Sequence, residues 1–482
     1  MNNTIKIHPD DNVEVCLADT EFNGVLVKRG HKIAIKDIET GSDIIKYGHS
    51  IGHATTNIKI GDFVHTHNMA TNLTGSMEYS YNPVKNVLSK AKERTFLGYK
   101  RPDGKVGIRN ELWIIPLVGC VNDVCQEIAK EAKQIVSEYG LDGVYHFPHP
   151  YGCSQLGDDL DNTKTILVDL CKHPNAGAVL CVALGCENLT LDLFKEALGN
   201  DYNDKIEFLV CQKEDDEKLA AKPLIEKLCK YASKYKREEC DASNLVIGTK
   251  CGGSDGLSGI TANPVVGRLS DQLVSLGGTS ILTEVPEMFG AEIDLLNRCK
   301  NEELFLKASK MINDFKEYFI SNGQPVGENP SPGNKEGGIT TLEDKSSGCV
   351  QKGGIAEVSG VLLYGERFTS KGLNMLCAPG NDLVSSSALT AAGAQMILFT
   401  TGRGTPFSAP APTIKISTNS ALYNKKVNWI DFNAGSVAEG TEIDKVADEL
   451  FDYVIEVASG KLTKSELSNQ RGLAIWKGGV TL

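Results

Sequence analysis

NLVIGTKCGGSDGLSGITANPVVGRLSDQLVSL, residues 244–276, changes character twice within 33 positions. It opens with an apolar, β-rich run from Asn244 to Gly248, which is typical of a buried strand. Glycines, hydroxyl side chains, Cys251 and Asp255 follow, and residues 264–276 then show the spacing of an amphipathic helix. A flexible linker would explain the glycines but not the ordered patterns on both sides. The stretch therefore predicts a strand, a glycine-rich loop and a helix.

The same alternation extends outward from this stretch in both directions. Apolar runs predict strands at 112–117, 143–147, 176–184, 206–211, 244–248, 280–285, 361–364, 395–400 and 413–417. Amphipathic runs predict helices near 122–138, 155–172, 189–198, 215–235, 264–277 and 441–458. Strands that alternate with helices predict mostly parallel sheets flanked by helices, with functional groups where strands end and helices begin.

The chain divides into four expected parts. Residues 1–72 read as short strands between turns and predict a small all-β module. Residues 73–95 are polar and weakly periodic, as expected of a linker, and residues 96–335 form a first α/β domain. The stretch NPSPGNKEGG then leads into a second α/β domain, residues 336–482. The predicted class is α/β with a small all-β N-terminal module.

Composition limits the partners. Of 482 residues, 50 are basic and 62 acidic, and the formal net charge of −12 argues against nucleic acid or an anionic membrane surface. A small anionic substrate stays open because it responds to local charge. The N-terminus lacks the basic and apolar regions of a signal peptide, and no apolar run reaches membrane-spanning length, so we expect a cytoplasmic protein. Its 14 cysteines are then expected to be reduced thiols or metal ligands.

Several loops place a thiol beside glycine directly after an apolar run. Thiolate, imidazole and carboxylate groups that converge at one sheet edge would suit a transition metal, particularly iron. The alternative is that these cysteines are small buried packing residues. The candidate metal ligands are Cys120, Cys153, Cys186, Cys251, Cys349 and His149.

Histidines supply a second set of candidates. All nine lie before residue 174, and His65 and His67 in the segment VHTHN would point to the same face of a strand. They could bind a metal or substrate together and lend catalytic groups from the β module to the larger part. A solvent-exposed pair is the alternative.

Charged residues beside glycine complete the candidates. Arg109 and Arg403 could each grip a carboxylate, although solvated basic turns are equally ordinary. In the opening loop, Lys250 could neutralise an anion, while Ser254 and Asp255 offer hydroxyl and carboxylate contacts. No G-x-G-x-x-G or G-x-x-x-x-G-K-[ST] pattern occurs, so the usual nucleotide-binding loops are missing.

The chain resembles the altronate/galactarate family of sugar-acid dehydratases. The motifs that carry this resemblance run from residue 98 to 405, and the N-terminal stretch resembles the SAF module of that family. The motifs are GYKRPDGKVGIRNELWI, YGCSQLGDD, HPNAGAV, LGCEN, CGGSDGLSGITANP, TEVPEMFGAE, NPSPGNKEGGITTLEDKSSGC, APGND and TGRGTP.

The resemblance implies an iron-stimulated hydro-lyase, with Mn²⁺ as an alternative ion, that dehydrates D-altronate to 2-dehydro-3-deoxy-D-gluconate in hexuronate catabolism. The α/β domains would be the catalytic part, the partner would be a small anionic sugar acid, and a homo-oligomer is compatible with the sequence. Galactarate or another aldarate is an alternative substrate, and sulfite loss from a sulfolactate is a more remote reaction. From another class of function, the chain could be a non-catalytic sugar-acid sensor. The resemblance supplies no ligand set and no C2 base.

Overall fold

The computed structural model describes residues 3–199 and 204–482. The strands of the N-terminal module are β1 (Thr4–Ile5), β2 (Val13–Cys16), β3 (Thr20–Phe22), β4 (Val25–Val27), β5 (Lys32–Ala34), β6 (Asp43–Lys46), β7 (His49–Ala54), β8 (Phe63–Val64) and β9 (Met69–Ala70). They pair in antiparallel order as β1-β2-β5-β8, β6-β7-β9 and β3-β4 around a small apolar core. The expected all-β module is confirmed, and residues 71–94 after it contain neither helix nor strand.

The next region centres on a parallel sheet. Its elements are β10 (Thr95–Lys100), β11 (Val106–Gly107), β12 (Glu111–Pro116), α1 (Asn122–Glu138), β13 (Gly143–His146), α2 (Asp158–Cys171), β14 (Ala176–Ala183), α3 (Leu191–Leu198), β15 (Ile206–Val210), α4 (Glu217–Ala232) and β16 (Arg237–Asp241). Strands β13-β12-β14-β15 are parallel, with α1 and α4 on one face and α2 and α3 on the other. Strands β11-β10-β16 form a separate antiparallel sheet.

The last region contains the largest sheet. Its elements are β17 (Val246–Cys251), α5 (Ala262–Ser275), β18 (Thr279–Leu282), α6 (Glu292–Leu296), α7 (Glu302–Ser321), α8 (Pro332–Glu336), α9 (Leu342–Cys349), β19 (Val358–Leu362), β20 (Gly372–Leu376), α10 (Asp382–Ala392), β21 (Met396–Thr401), β22 (Thr413–Ser417), α11 (Ser420–Lys425), β23 (Phe432–Asn433), α12 (Ile443–Ala458) and α13 (Lys464–Leu467). The order β19-β20-β18-β17-β21-β22-β23 is parallel throughout.

The opening stretch folds as predicted, because its patterns match both elements. Strand β17 is central in the sheet and buried on both faces, which explains its continuous apolar run. In α5, the side chains Val265, Val266, Leu269 and Leu273 form one stripe that packs with α12 in the main core. The α/β class with parallel, helix-flanked sheets is confirmed.

The seven-stranded sheet bears on the expected domain division. Its strands lie on both sides of residue 336, so a boundary there would divide one hydrogen-bonded sheet. We therefore propose that the first α/β domain ends between β15 and β17, and that the second runs from there to the C-terminus. Within the described residues, no helix is both long and apolar enough to cross a membrane.

Candidate functional site

The glycine-rich loop places a thiol at the carboxyl edge of the largest sheet. Cys251 is the last residue of β17, and Cys349 is the last residue of α9. Glu287 comes from a short 3₁₀ turn, Val285–Met288, that follows β18. Carboxyl ends of parallel strands meet at one edge, where ligands of open α/β sheets bind.

These three side chains form a compact buried group. Cys251 Sγ and Cys349 Sγ lie 3.4 Å apart, and each lies 3.2 Å from Glu287 Oε2. One ligand atom from each residue falls within 4.8 Å of the others, and among the described residues this is the one group of three or more such donors. Two thiolates and a carboxylate are a donor set that suits iron or another transition metal. We call this group the thiol–carboxylate triad.

Ammonium groups surround the triad. Lys345 Nζ lies 2.8 Å from Glu287 Oε1, and Lys352 Nζ lies 3.2 Å from Cys251 Sγ. Burial alone would raise the pKa of Glu287, but Lys345, Lys352 and Lys250 together outweigh it and lower the pKa to about 2. The carboxylate is therefore ionised and ready to accept a cation at neutral pH.

A second carboxylate supports the triad from a strained backbone position. Glu284 has φ +71°, a left-handed conformation that costs a residue with a side chain about 1–2 kcal/mol. Its carboxylate accepts from Lys250 Nζ at 2.5 Å and from the Cys251 backbone N–H at 2.9 Å. Lys250 is fully buried and also pairs with Asp382 at 2.8 Å. Strain held by ion pairs beside a thiol is typical of a functional position.

A small cavity adjoins the triad, and the N-terminal module closes one side of it. Lys46 and Tyr47 from the module line it together with Ser254, Lys345 and Cys349. The buried Ser254 hydroxyl has no hydrogen-bond partner, and the cavity has a volume of about 10 Å³, which is room for about one water molecule. Desolvation of the Tyr47 hydroxyl raises its pKa to about 12, so this phenol keeps its proton at neutral pH.

The module is fastened beside the cavity by a buried ion-pair group. Asp344 Oδ2 lies 2.8 Å from Lys32 Nζ, and Asp344 Oδ1 lies 2.9 Å from Lys46 Nζ. Burial alone would raise the pKa of Asp344, but the two ammonium groups lower it well below its usual range. Next to it, Thr71 donates to Glu343 at 2.8 Å. The module and α9 therefore share one wall of the site.

The residues predicted in the opening loop lie here. Cys251 belongs to the triad, Lys250 supports it, and Ser254 lines the cavity. Cys349, predicted in a different loop, is also part of the triad. Asp255 also lines the cavity, but its oxygens accept from Thr418 Oγ1 at 2.9 Å, from Ser258 Oγ at 3.1 Å and from nearby N–H groups. Desolvation raises its pKa.

The two predicted arginines have other partners. Arg403 is partly exposed, donates to Gly333 O and Glu336 at 3.0 Å each, and lies beside the glycine-rich loop. Arg109 is buried, and its guanidinium donates to Glu466 at 2.8 and 3.0 Å and to the carbonyl oxygens of Ile108, Val457 and Lys461. Because these contacts use its donors, we propose a structural role for Arg109 and leave its predicted role in substrate binding to the substitution experiment below.

The remaining candidate ligands are not in the triad. Cys120, Cys153 and Cys186 are exposed and follow strands of the four-stranded sheet. His149 is buried, but one ring nitrogen bonds Pro116 O at 2.8 Å and the other accepts from the Tyr151 N–H at 3.1 Å. Burial lowers its pKa to about 4, and neither nitrogen is left for a metal in this arrangement.

The two histidines do not lie in a strand as expected. They sit in the turn between β8 and β9, where the alternation rule does not apply. His65 Nε2 contacts Lys335 O of α8 at 2.9 Å, whereas His67 is exposed. The module reaches the cavity through Lys46 and Tyr47 instead.

Sequence reasoning missed several site residues that carried a readable signal. Glu284 lies near the end of the predicted strand 280–285 and Glu287 lies just after it, both in TEVPEMFGAE. Lys345 precedes Cys349 by four positions on one helix face. Residues 252–256 also match the G-x-S-x-G pattern of a hydrolase elbow. The described residues supply no hydrogen-bonded base to Ser254 Oγ, so this pattern is not a serine nucleophile here.

Fold and site together define a multi-domain α/β protein with a small β module that closes a buried thiol–carboxylate site. Family models match along nearly the whole chain: the altronate/galactarate dehydratase SAF domain over residues 2–72, the second domain of D-galactarate dehydratase/altronate hydrolase over 98–233, and the D-galactarate/altronate dehydratase C-terminal domain over 242–481. The chain belongs to the altronate/galactarate dehydratase family.

Curated relatives cover the full length. The chain is 51% identical to the altronate dehydratase of Bacillus subtilis over 100% of both chains, and 50% identical to that of Escherichia coli over 99% of both. It is 33% identical to the galactarate dehydratase (L-threo-forming) of Escherichia coli, over 97% of this chain and 95% of that one.

Proposed function

We propose that this protein is a hydro-lyase that dehydrates D-altronate to 2-dehydro-3-deoxy-D-gluconate in hexuronate catabolism. The observation that carries the proposal is sequence identity: this chain is identical to two altronate dehydratases at about half of the aligned positions over its full length. Galactarate dehydratase is more distant at 33% identity, so galactarate or another aldarate is the second candidate substrate.

Local charge at the site supports an anionic substrate. Five buried lysines surround the cavity and triad, Lys32, Lys46, Lys250, Lys345 and Lys352. Four carboxylates lie among them, Glu284, Glu287, Asp344 and Asp382. With Asp255, which also lines the cavity, the carboxylates balance the ammonium groups, so this site repels a sugar-acid carboxylate less than the rest of a protein whose net charge is −12.

The triad fits a divalent iron, with Mn²⁺ as the alternative. Cys251, Glu287 and Cys349 would hold the ion, and both thiols must lose their protons to do so. When bound, the ion supplies Lewis-acid stabilisation of the negative charge that builds up on the substrate carboxylate. Lys352 Nζ lies 3.2 Å from Cys251 Sγ and would offset part of the negative charge of the bound donor set.

The side chains around the cavity provide substrate binding and proton transfer. Dehydration removes the proton at C2 and the hydroxyl at C3, which leave as water, and the resulting enol relaxes to the ketone. The closed cavity has a volume of about 10 Å³, so the module has to move aside before the substrate enters. Lys345 then binds the carboxylate, Ser254 takes a substrate hydroxyl, and Tyr47 donates a proton to the leaving hydroxyl. Asp255 is our candidate for the C2 base because it lines the same cavity and burial raises its pKa, which makes the carboxylate a stronger base.

Three further candidate residues act by positioning. Lys250 fixes the strained Glu284, and through it the Cys251 backbone. His65 holds Lys335 O, next to Asn334, whose side chain contacts Lys345 at 3.2 Å. Arg403 pairs with Glu336, which lies in α8 together with Lys335, and it borders the route to the glycine-rich loop. We also propose a cytoplasmic location and a homo-oligomer.

A sugar-acid panel tests the proposal. Protein purified without oxygen and supplied with ferrous iron should form a 2-keto-3-deoxy acid from D-altronate with a higher kcat/KM than from galactarate. A higher value for galactarate would move the substrate assignment to the aldarates. Lack of turnover with every sugar acid, together with measurable binding, would favour the sensor.

A further inference from the structure

Three exposed thiols lie outside the site described above. Cys120, Cys153 and Cys186 are exposed, whereas the other eleven cysteines are buried or half-buried. Cysteine is among the most often buried residue types, so exposed thiols need a reason. Each of the three directly follows a glycine, and their loops follow β12, β13 and β14, the adjacent strands of the four-stranded parallel sheet.

The three loops are bonded to one another through their backbones. The Gly119 N–H donates to Tyr151 O at 2.8 Å, and the Leu189 N–H donates to Gly152 O at 3.0 Å. A Cβ on Gly152, which has φ +95°, would collide with the Leu117 carbonyl, so glycine is required for this close approach. The three thiols therefore project from one continuous rim at the carboxyl edge of the sheet.

Buried polar atoms without partners lie in the same loops. Gln155 Nε2 and Glu187 Oε1 have no hydrogen-bond partner. Both residues are buried, with only 3% and 5% of their surface exposed. Polar atoms in protein interiors are nearly always paired, so two orphans in one rim point to a group that the polypeptide does not supply.

The arrangement is wrong for a single metal ion. Thiolates on one tetrahedral ion lie about 3.8 Å apart, given metal–sulfur bonds of about 2.3 Å. Within the described parts of the chain, the one group of three donors inside 4.8 Å is the thiol–carboxylate triad. A cluster holds each thiolate on a separate iron and so accepts a wider spacing.

We propose that Cys120, Cys153 and Cys186 bind a [4Fe–4S] cluster, one thiolate to each of three irons, with loss of the three thiol protons. The fourth iron faces solvent and is open to an oxygen ligand such as a carboxylate or hydroxyl group. This site is separate from the triad, so the cluster can be tested independently of altronate turnover.

Reconstitution of the full-length protein tests the cluster. Protein treated without oxygen with sulfide and equal amounts of ferrous and ferric iron should bind about four acid-labile sulfides and about five irons, four in the cluster and one in the triad. It should also show visible absorption that bleaches on reduction. Cys120→Ser, Cys153→Ser and Cys186→Ser should each lose most of the sulfide and the absorption. Because these side chains are exposed, the variants should keep the thermal unfolding midpoint of the apoprotein.

Matched controls separate this site from the triad. Cys211→Ser changes a half-buried thiol one residue from Gln212, which donates to Cys186 Sγ at 3.4 Å, and should keep the full sulfide content. Cys251→Ser should also keep it while losing iron from the triad. Iron bound without sulfide in the parent protein, or full sulfide in all three rim variants, would overturn the cluster.

Discussion

At the residue scale, the triad shows how charge decides which thiols matter. Cys251 and Cys349 are buried beside one carboxylate and three ammonium groups, whereas the buried Cys299 thiol has the Arg298 guanidinium as its charged neighbour. Burial raises the pKa of Cys299 to about 12, which keeps that thiol protonated and inert. The neighbouring Cys251 and burial raise the pKa of Cys349 as well, so the carboxylate and ammonium groups beside it, and not its pKa, set Cys349 apart from Cys299.

Serine substitution should separate these thiols. Cys251→Ser and Cys349→Ser should lose bound iron and lower kcat/KM at least about a hundredfold, equal to about 2.7 kcal/mol of transition-state stabilisation. Cys299→Ser should keep iron and cost at most modest stability. Metal analysis and steady-state kinetics on the three variants measure both effects. Full iron and activity in both triad variants would move the metal elsewhere.

Glu287 gives a pH-dependent prediction. Its folded-state pKa is about 2, below the ordinary 4.5, so its ion pairs stabilise the fold fully above about pH 4.5 and progressively less as pH falls toward 2. Urea unfolding midpoints measured across this range should fall for the parent protein. The Glu287→Gln variant should show a smaller fall of the midpoint. An equally steep fall in the variant and in the parent protein would contradict this assignment.

At the element scale, the module is held against α9 by the Lys32–Asp344–Lys46 group. All three side chains are buried, and no water competes for their charges. Removal of one member of a buried ion pair leaves uncompensated charge, which typically costs about 3–5 kcal/mol. The docking of the module therefore depends strongly on Asp344.

Asp344→Asn should loosen the module. We expect a lower thermal unfolding midpoint and faster proteolysis within residues 71–94, with loss of turnover because Lys46 and Tyr47 no longer close the cavity. Asp37→Asn is the control, since its pair with Lys59 is exposed and its loss should leave the unfolding midpoint nearly unchanged. Equal unfolding midpoints for the two variants would argue against the docking role.

A second pair of variants tests which module residues reach the chemistry. Tyr47→Phe keeps the ring but removes the proton donor, so kcat should fall at least about tenfold with little change in stability. His67→Ala changes an exposed side chain and should leave kcat within about twofold of the parent value. If steady-state assays show a larger loss of kcat for His67→Ala than for Tyr47→Phe, His67 is the residue of the module that reaches the active site.

At the scale of the whole molecule, a buried ionic network ties the C-terminal segment to the four-stranded sheet. Arg109 pairs with Glu466, and Arg471 bridges Glu466 and Glu111 of β12 at 3.0 and 2.7 Å. Residues more than 350 positions apart in sequence thus share charges inside the protein. The network joins the two α/β regions.

Arg109→Ala should therefore act on stability rather than on substrate binding. The unfolding midpoint should drop markedly because Glu466 loses a buried partner, while KM for D-altronate in the folded protein should stay unchanged. Lys100→Ala, which removes an exposed pair with Glu238, is the control for stability. A large rise in KM with normal stability would return Arg109 to the substrate site.

The sequence by itself determined the elements and their class, because hydrophobic period and glycine position are local properties. It located the loop that carries Cys251, Ser254 and Asp255, and it also marked Cys349. It could not rank the cysteines or place His65, Arg109 and Tyr47, because those depend on contacts between distant segments. Burial, ion pairing and the strain at Glu284 arise only when β17, α9 and the N-terminal module come together. Tertiary structure alone decided which polar groups share a low-dielectric interior, where charge interactions are strong enough to set chemistry.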